Sequence, residues 1–168
     1  MTVHYRAEAA GDPAAVRDVH RPAFGRDDEG ALVDALRSGG YNRVSLVAEE
    51  AGMPVGHILF SELLIVTPRG TVEALSLAPL AVVPGRQRRG IGSGLMREGL
   101  RACSERGHRV VVVLGHPEFY PRFGFSAALA EGLEAPFSGP AFMALELVPG
   151  ALAGVSGRVS YPPPFGLP

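Results

Sequence analysis

The chain has 168 residues, 46% of them hydrophobic and 20% charged, with a formal net charge of −1. That is enough for one globular domain and cramped for two, and a near-neutral balance supplies neither a broad basic field for nucleic acid nor a polybasic patch for a membrane surface. Its single cysteine, Cys103, excludes an internal disulfide and a multi-cysteine zinc site, so no metal centre is expected. Apolar runs such as Val110 to Leu114 are far shorter than the ~20 residues of a membrane-crossing helix, and the opening Met-Thr-Val-His-Tyr-Arg lacks the apolar core of a signal peptide. A cytoplasmic protein is expected.

In chain order, a first strand leads to Asp12-Pro13, a helix-start pair: the carboxylate can cap free N–H groups and proline suits the first helical position. The helix is predicted to run to about Ala23. A second spans Glu29 to Arg37, with Leu32, Val33 and Leu36 on one face and Gly39-Gly40 after it. Asp27-Asp28-Glu29 could draw a cationic substrate, but negative side chains also stabilise a first helical turn, which is the favoured reading. Three antiparallel strands follow at Val44–Glu49, Val55–Val66 and Val72–Val83, joined by the turn sequences Ala51-Gly-Met-Pro54 and Pro68-Arg-Gly70. Pro79 cannot donate to a ladder, so pairing is expected to break near Pro79 and Leu80, whether at an ordinary edge or at a functional gap.

The most informative segment comes next, Leu80-Ala-Val-Val-Pro-Gly-Arg-Gln-Arg-Arg-Gly-Ile-Gly-Ser-Gly94. An apolar strand breaks into a basic, glycine-rich turn and resumes as a helix. Backbone N–H groups at a helix start carry partial positive charge, and Gly90 and Gly92 leave room for phosphate oxygens to approach them. Arg86, Arg88 and Arg89 supply neutralising charge. A dinucleotide fingerprint does not fit, because its third glycine is missing, and no Gly-Lys-Ser/Thr marks a triphosphate loop. After the cradle, Ile91, Leu95, Ala102 and Cys103 recur at helical spacing until Gly107, which places Cys103 in the core. Arg109-Val-Val-Val-Val-Leu-Gly115 reads as a strand covered on both faces, completing a right-handed parallel crossover. The second motif is His116-Pro-Glu-Phe-Tyr-Pro-Arg-Phe-Gly-Phe125, and the Gly- and Pro-rich tail from 145 to 168 follows, with three open readings: an added edge strand at Gly157–Tyr161, closure of a dimer, or a cover over a pocket.

Gln87-Arg88-Arg89-Gly90-Ile91-Gly92 resembles the Q/R-x-x-G-x-G/A signature of the GCN5-related N-acetyltransferases (GNAT), and Tyr120 before Gly124-Phe125 resembles the family's second conserved region. The likeness extends over most of the chain, in particular to a YhbS-like branch of predicted acetyltransferases. It implies a single α/β domain over 1–168: a three-layer αβα fold whose mixed, mostly antiparallel splayed sheet is flanked by helices. It implies acetyl-CoA as cosubstrate, held by Leu80, Ala81, Val82, Gln87, Arg88, Arg89, Gly90, Ile91, Gly92 and Ser93. Tyr120 would be the general acid that protonates the departing thiolate, a role open to a phenol of pKa ~10. The glutamate used as base by some histone-directed relatives is Ser76 here, which leaves Glu73, His116, Glu118 or a water chain. The expected reaction is direct acetyl transfer to an amine of a small molecule or protein, by a monomer or homodimer. The alternatives are a non-catalytic acyl-CoA-binding module and an enzyme using another acyl-CoA.

Overall fold

Apolar runs punctuated by glycine and proline build the strands, and those at Met53–Thr67, Gly70–Val82 and Val110–Leu114 carry four or more consecutive buried residues, as strands covered on both faces do. The computed structural model describes residues 2–137 and 139–167. In chain order the elements are β1 (Val3–Ala7), α1 (Pro13–Phe24), α2 (Asp28–Ser38), β2 (Asn42–Glu50), β3 (Met53–Thr67), β4 (Gly70–Val82), α3 (Ile91–Glu105), β5 (Val110–Leu114), β6 (Leu133–Glu134), β7 (Phe142–Glu146) and β8 (Gly157–Ser160). The strands form one open sheet in the order β1-β2-β3-β4-β5-β7, with β8 pairing both β3 and β6. It is mostly antiparallel; β4 with β5 and β6 with β8 are parallel. The tail adds a strand, Leu64↔Ser160 to Val66↔Arg158 on β3, but not the edge strand expected, because β6 pairs with the other side of β8.

Local chemistry explains the turns. Ala51 (φ 51°) and Gly52 (φ 77°) form a two-residue hairpin between β2 and β3, and positive φ at both positions matches the right-handed twist of the flanking strands. Gly39 caps α2, as its sequence predicts.

One expectation is corrected. Asp12 occupies the N-cap position of α1 but makes no side-chain cap hydrogen bond. Its carboxylate instead accepts from the backbone N–H of Ala9 (2.6 Å) and from Arg6 (2.7 and 3.0 Å), because a guanidinium from β1 competes better for a nearly buried carboxylate than the helix N–H groups do.

The chain packs as two units. The first runs to Phe60 and takes in Ala78–Ala102. Within it α3 lies close against the strands through glycines: a Cβ on Gly94 would fall 2.0 Å from the Tyr5 hydroxyl, and one on Gly99 2.7 Å from the Phe60 ring. Val16, Val19, Val33, Leu36, Val47 and Ile58 are buried in this unit. The second comprises Ser61–Leu77 and the chain from Cys103 onward. Leu63, Ile65, Val110, Val112, Phe142, Ala144 and Val159 form its core. Cys103 is buried, and burial pushes its thiol up to about 12, so it packs as a small hydrophobe.

Candidate functional site

The cradle forms where β4 hands over to α3. A single 3₁₀ turn, Pro84–Arg86, follows the strand, Arg88 (φ 64°) and Gly90 (φ 82°) take left-handed backbone, and α3 starts at Ile91. The first helical acceptor in use is Gly90 O, bonded by Gly94 N–H at 2.9 Å. Ile91, Gly92 and Ser93 precede the first N–H that can find a helical acceptor, so their donors collect at the positive end of the helix dipole. A Cβ on Gly90 would meet nothing within 4 Å, and one on Gly92 only Val82 Cγ2 at 3.9 Å. The space above both glycines is open, the form an anion-binding helix N-terminus takes. Gly94, in the same motif, has a different purpose: it admits Tyr5.

The basic residues divide in the same way. Arg88 and Arg89 are exposed beside the open N–H groups. Arg86, expected as a third phosphate partner, instead gives Nε to Glu50 Oε1 at 2.5 Å. Glu50 is only 6% exposed on β2, and a buried carboxylate claims the nearest cation. Gln87 donates Nε2–H to Val82 O (2.9 Å), tying the loop to the end of β4. Leu80, Ala81 and Val82 occupy that end. Registered pairing of β4 with β5 stops at Ser76↔Val112, and Ala78 to Val82 have no registered partner on that edge among the described residues. The break begins before Pro79 rather than at it.

In the second unit, Tyr120 opens a 3₁₀ turn that Gly124 ends in left-handed backbone (φ 98°), which explains the Gly before Phe125. Its ring is buried edge-on against Phe119 and Phe125. A Cβ on Gly115 would fall 2.3 Å from Tyr120 Cε2, so Gly115 is what lets the ring settle on the end of β5. Burial raises the phenol above its ordinary pKa, keeping it protonated. His116 and Glu118 are exposed on the same turn, and the His116 carbonyl accepts from Phe119 N–H (3.1 Å) and Tyr120 N–H (3.3 Å). Glu73 is not brought to this group. It lies on β4 two residues before Leu75, which pairs with Val111, and so toward the start of β5, whereas His116 follows the strand's end at Leu114.

Asp27 and Glu29 are neutralised by Arg21 (2.6 Å) and Arg26 (2.6 Å), in keeping with a helix-start role for the acidic run. Sequence reasoning missed a partly buried polar network in the first unit, Arg37, Glu8, Ser45, His57 and His20, whose members come from five different segments and of which only the two histidines are fully buried. One signal was present: Val16, Val19 and His20 share helical spacing, which puts the histidine on the buried face of α1.

The sequence profile described as "Acetyltransferase (GNAT) domain" matches residues 4–128. The chain is 37% identical over 149 residues to "Uncharacterized N-acetyltransferase YjhQ" of Escherichia coli (strain K12), covering 83% of this chain and 81% of the relative. It is 35% identical over 160 residues to "Uncharacterized N-acetyltransferase YhbS" of the same strain, covering 93% and 94%. Among solved structures, E. coli YhbS in complex with CoA superimposes with a TM-score of 0.90 at 33% identity, covering 98% of this chain and 92% of that one. A GNAT family acetyltransferase from Brucella melitensis in complex with acetyl-CoA gives 0.82 at 36% identity, covering 98% of each.

Proposed function

The chain belongs to the GNAT acetyltransferase family, and from that premise we propose that it moves the acetyl group of acetyl-CoA directly onto a primary amine within a ternary complex. The observation that carries the reading is the cluster of N–H donors at Ile91, Gly92 and Ser93, open above two glycines and flanked by Arg88 and Arg89. Such a helix start suits a pyrophosphate, and relatives with the same fold bind CoA and acetyl-CoA.

Each chemical demand has a residue in this reading. Pyrophosphate oxygens accept from the cradle N–H groups while Arg88 and Arg89 offset their charge. Gln87 keeps the loop joined to Val82, and the backbone of Leu80, Ala81 and Val82, unpaired on the β5 edge, offers hydrogen bonds to the pantetheine arm and the thioester carbonyl. The amine nitrogen attacks the carbonyl carbon, and the C–S bond breaks as the tetrahedral intermediate collapses. The phenol of Tyr120 gives the leaving sulfur its proton. His116 and Glu118 remain available as bases near Tyr120; Glu73 is set apart by the ladder. The acceptor is an amine of a small molecule or of a protein, and the setting is the cytoplasm.

CoA release from acetyl-CoA, followed by a thiol assay over polyamines, aminoglycosides, amino acids and lysine peptides, tests this, with Tyr120→Phe alongside. Amine-dependent release that falls about 100-fold or more in Tyr120→Phe, with acetyl-CoA still bound, is the expected outcome. Full turnover by Tyr120→Phe would remove the phenol from the mechanism. Tight acetyl-CoA binding without release on any amine would leave a binding module or a different acyl donor.

A further inference from the structure

A hollow of about 440 Å³ opens in the second unit, within the size range of small-molecule sites. Its walls are apolar, Leu133, Phe137 and Phe142 among them, and the charged side chains on its described lining are Glu131 and Glu134 alone. Phe137 packs against Phe142 at 5.5 Å and against Tyr161 of the tail at 5.8 Å.

Strand register fixes one end of this hollow. Phe142 stands opposite Leu114 in the β5–β7 pair, so the two side chains share a face about 5 Å apart. Leu114 is 48% exposed, and β5 has no registered β4 partner beyond Val112 among the described residues. Gly115 continues the ladder through its N–H to Ala141 O (3.0 Å), and the Tyr120 ring settles on the Cβ side of Gly115, the face opposite Leu114. The end of β5 thus has the phenol on one face and, on the other, an apolar track of Leu114 and Phe142 that leads into the hollow. That track borders the strand edge assigned above to the thioester.

The other end of the hollow carries charge. Glu131 and Glu134 are exposed, and neither is ion-paired with a described residue. Arg158 is level with Glu134 in the parallel β6–β8 pair and lines a neighbouring hollow of about 350 Å³ that Glu134 shares, without forming an ion pair with it. Two carboxylates beside one arginine leave a net negative rim over apolar walls, which complements one ammonium group on an apolar chain. An ammonium clamped there keeps its proton and has no lone pair to attack with, so it is not the nitrogen that receives the acetyl group.

We propose that the hollow anchors the acceptor through a second ammonium group, which makes the acceptor a diamine. One nitrogen is held by Glu131 and Glu134, the methylene chain lies along Phe142 and Leu114, and the free amine is delivered at the end of β5, on the face opposite the Tyr120 ring. The proposal rests on the amine-acetylation reading above.

The test compares kcat/KM on 1,5-diaminopentane, pentylamine and 5-aminopentanoate, which share a five-carbon chain and differ in the group at the far end. Wild type is expected to favour diaminopentane over pentylamine about tenfold, with aminopentanoate the poorest, because a charge-assisted contact at an exposed carboxylate is worth less than a buried one. The preference should shrink as salt rises. Glu131→Gln combined with Glu134→Gln is expected to bring diaminopentane down to the level of pentylamine. No preference in wild type, an equal loss on both amines in the double variant, or aminopentanoate used as well as diaminopentane would overturn the assignment. A wild type that acetylates no amine at all sinks the transfer reading, and the hollow is then read by itself. The methyl ¹³C signals of Ala130 and Ala135, which line it, must move when diaminopentane is added and stay fixed in the double variant. Signals that stay fixed in wild type refute the site as well.

Discussion

Alanine at Gly92 separates the cradle from the fold. The new Cβ would meet nothing closer than Val82 Cγ2 at 3.9 Å, so it enters open space. Gly92 is the second residue of α3 and its φ is not positive, so the helix gains up to about 1 kcal/mol from reduced backbone entropy. The same methyl group projects into the space that the phosphate oxygens must share with the N–H groups of Ile91, Gly92 and Ser93. Losing one or two charge-assisted hydrogen bonds at about 1.5–3 kcal/mol each weakens acetyl-CoA binding by about 10- to 1,000-fold or more. Titration calorimetry with acetyl-CoA and urea unfolding of the same samples read the two effects. Gly94→Ala is the matched control. Its Cβ would sit 2.0 Å from the Tyr5 hydroxyl. Overpacking of this kind costs about 1–3 kcal/mol of stability, with binding following only as the fold loosens. Gly92→Ala protein that is stable and binds acetyl-CoA as tightly as wild type would refute the cradle.

Stability is expected to fall on acidification. Burial lowers His20 from its ordinary 6.5 to about 3 and also lowers His57, so below pH 6.5 the unfolded chain takes up protons that the folded one refuses. Glu8 is lowered from 4.5 to about 2 through its bonds to His57 and Ser45, which outweigh its burial, so its contribution is present above 4.5 and lost as pH falls toward 2. Each fully mismatched proton steepens the loss by about 1.4 kcal/mol per pH unit, and a urea midpoint that stays level from pH 7 to pH 4 would contradict the buried neutral pair. Arg86→Ala leaves Glu50 buried without its cation and is expected to cost about 1–3 kcal/mol by urea unfolding. Its acetyl-CoA affinity should hold, whereas Arg88→Ala and Arg89→Ala weaken binding in a salt-dependent way with stability unchanged. The opposite pattern would return Arg86 to the phosphate site.

The legible parts of this protein are those written in short stretches of chain. Gly39 after a helical period, a turn opening at Ala51-Gly52, and a basic glycine turn between strand and helix each act over a few residues, so their readings survived in the structure, although the turn expected over Ala51–Pro54 closes in two residues. Asp12 and Arg86 were misread for one shared reason. Each side chain satisfies a group distant in sequence or on another element: Asp12 bonds Arg6 of β1, and Arg86 bonds Glu50 of β2. Local propensity cannot weigh such competitors.

By itself the sequence determined the order of elements, the phosphate-suited start of α3 and the placement of Tyr120 ahead of Gly124-Phe125, because backbone sterics, helix-end donors and side-chain periodicity are properties of neighbours along the chain. Only the tertiary structure decided which arginines are left for a ligand, that Gly94 and Gly115 are spaces for Tyr5 and Tyr120, and that Glu8, Ser45, His57 and His20 form one chain ending in a bare nitrogen. The physical reason is that burial favours a partner for nearly every polar atom, and the partners within reach are set by how the strands pair and which face each helix covers.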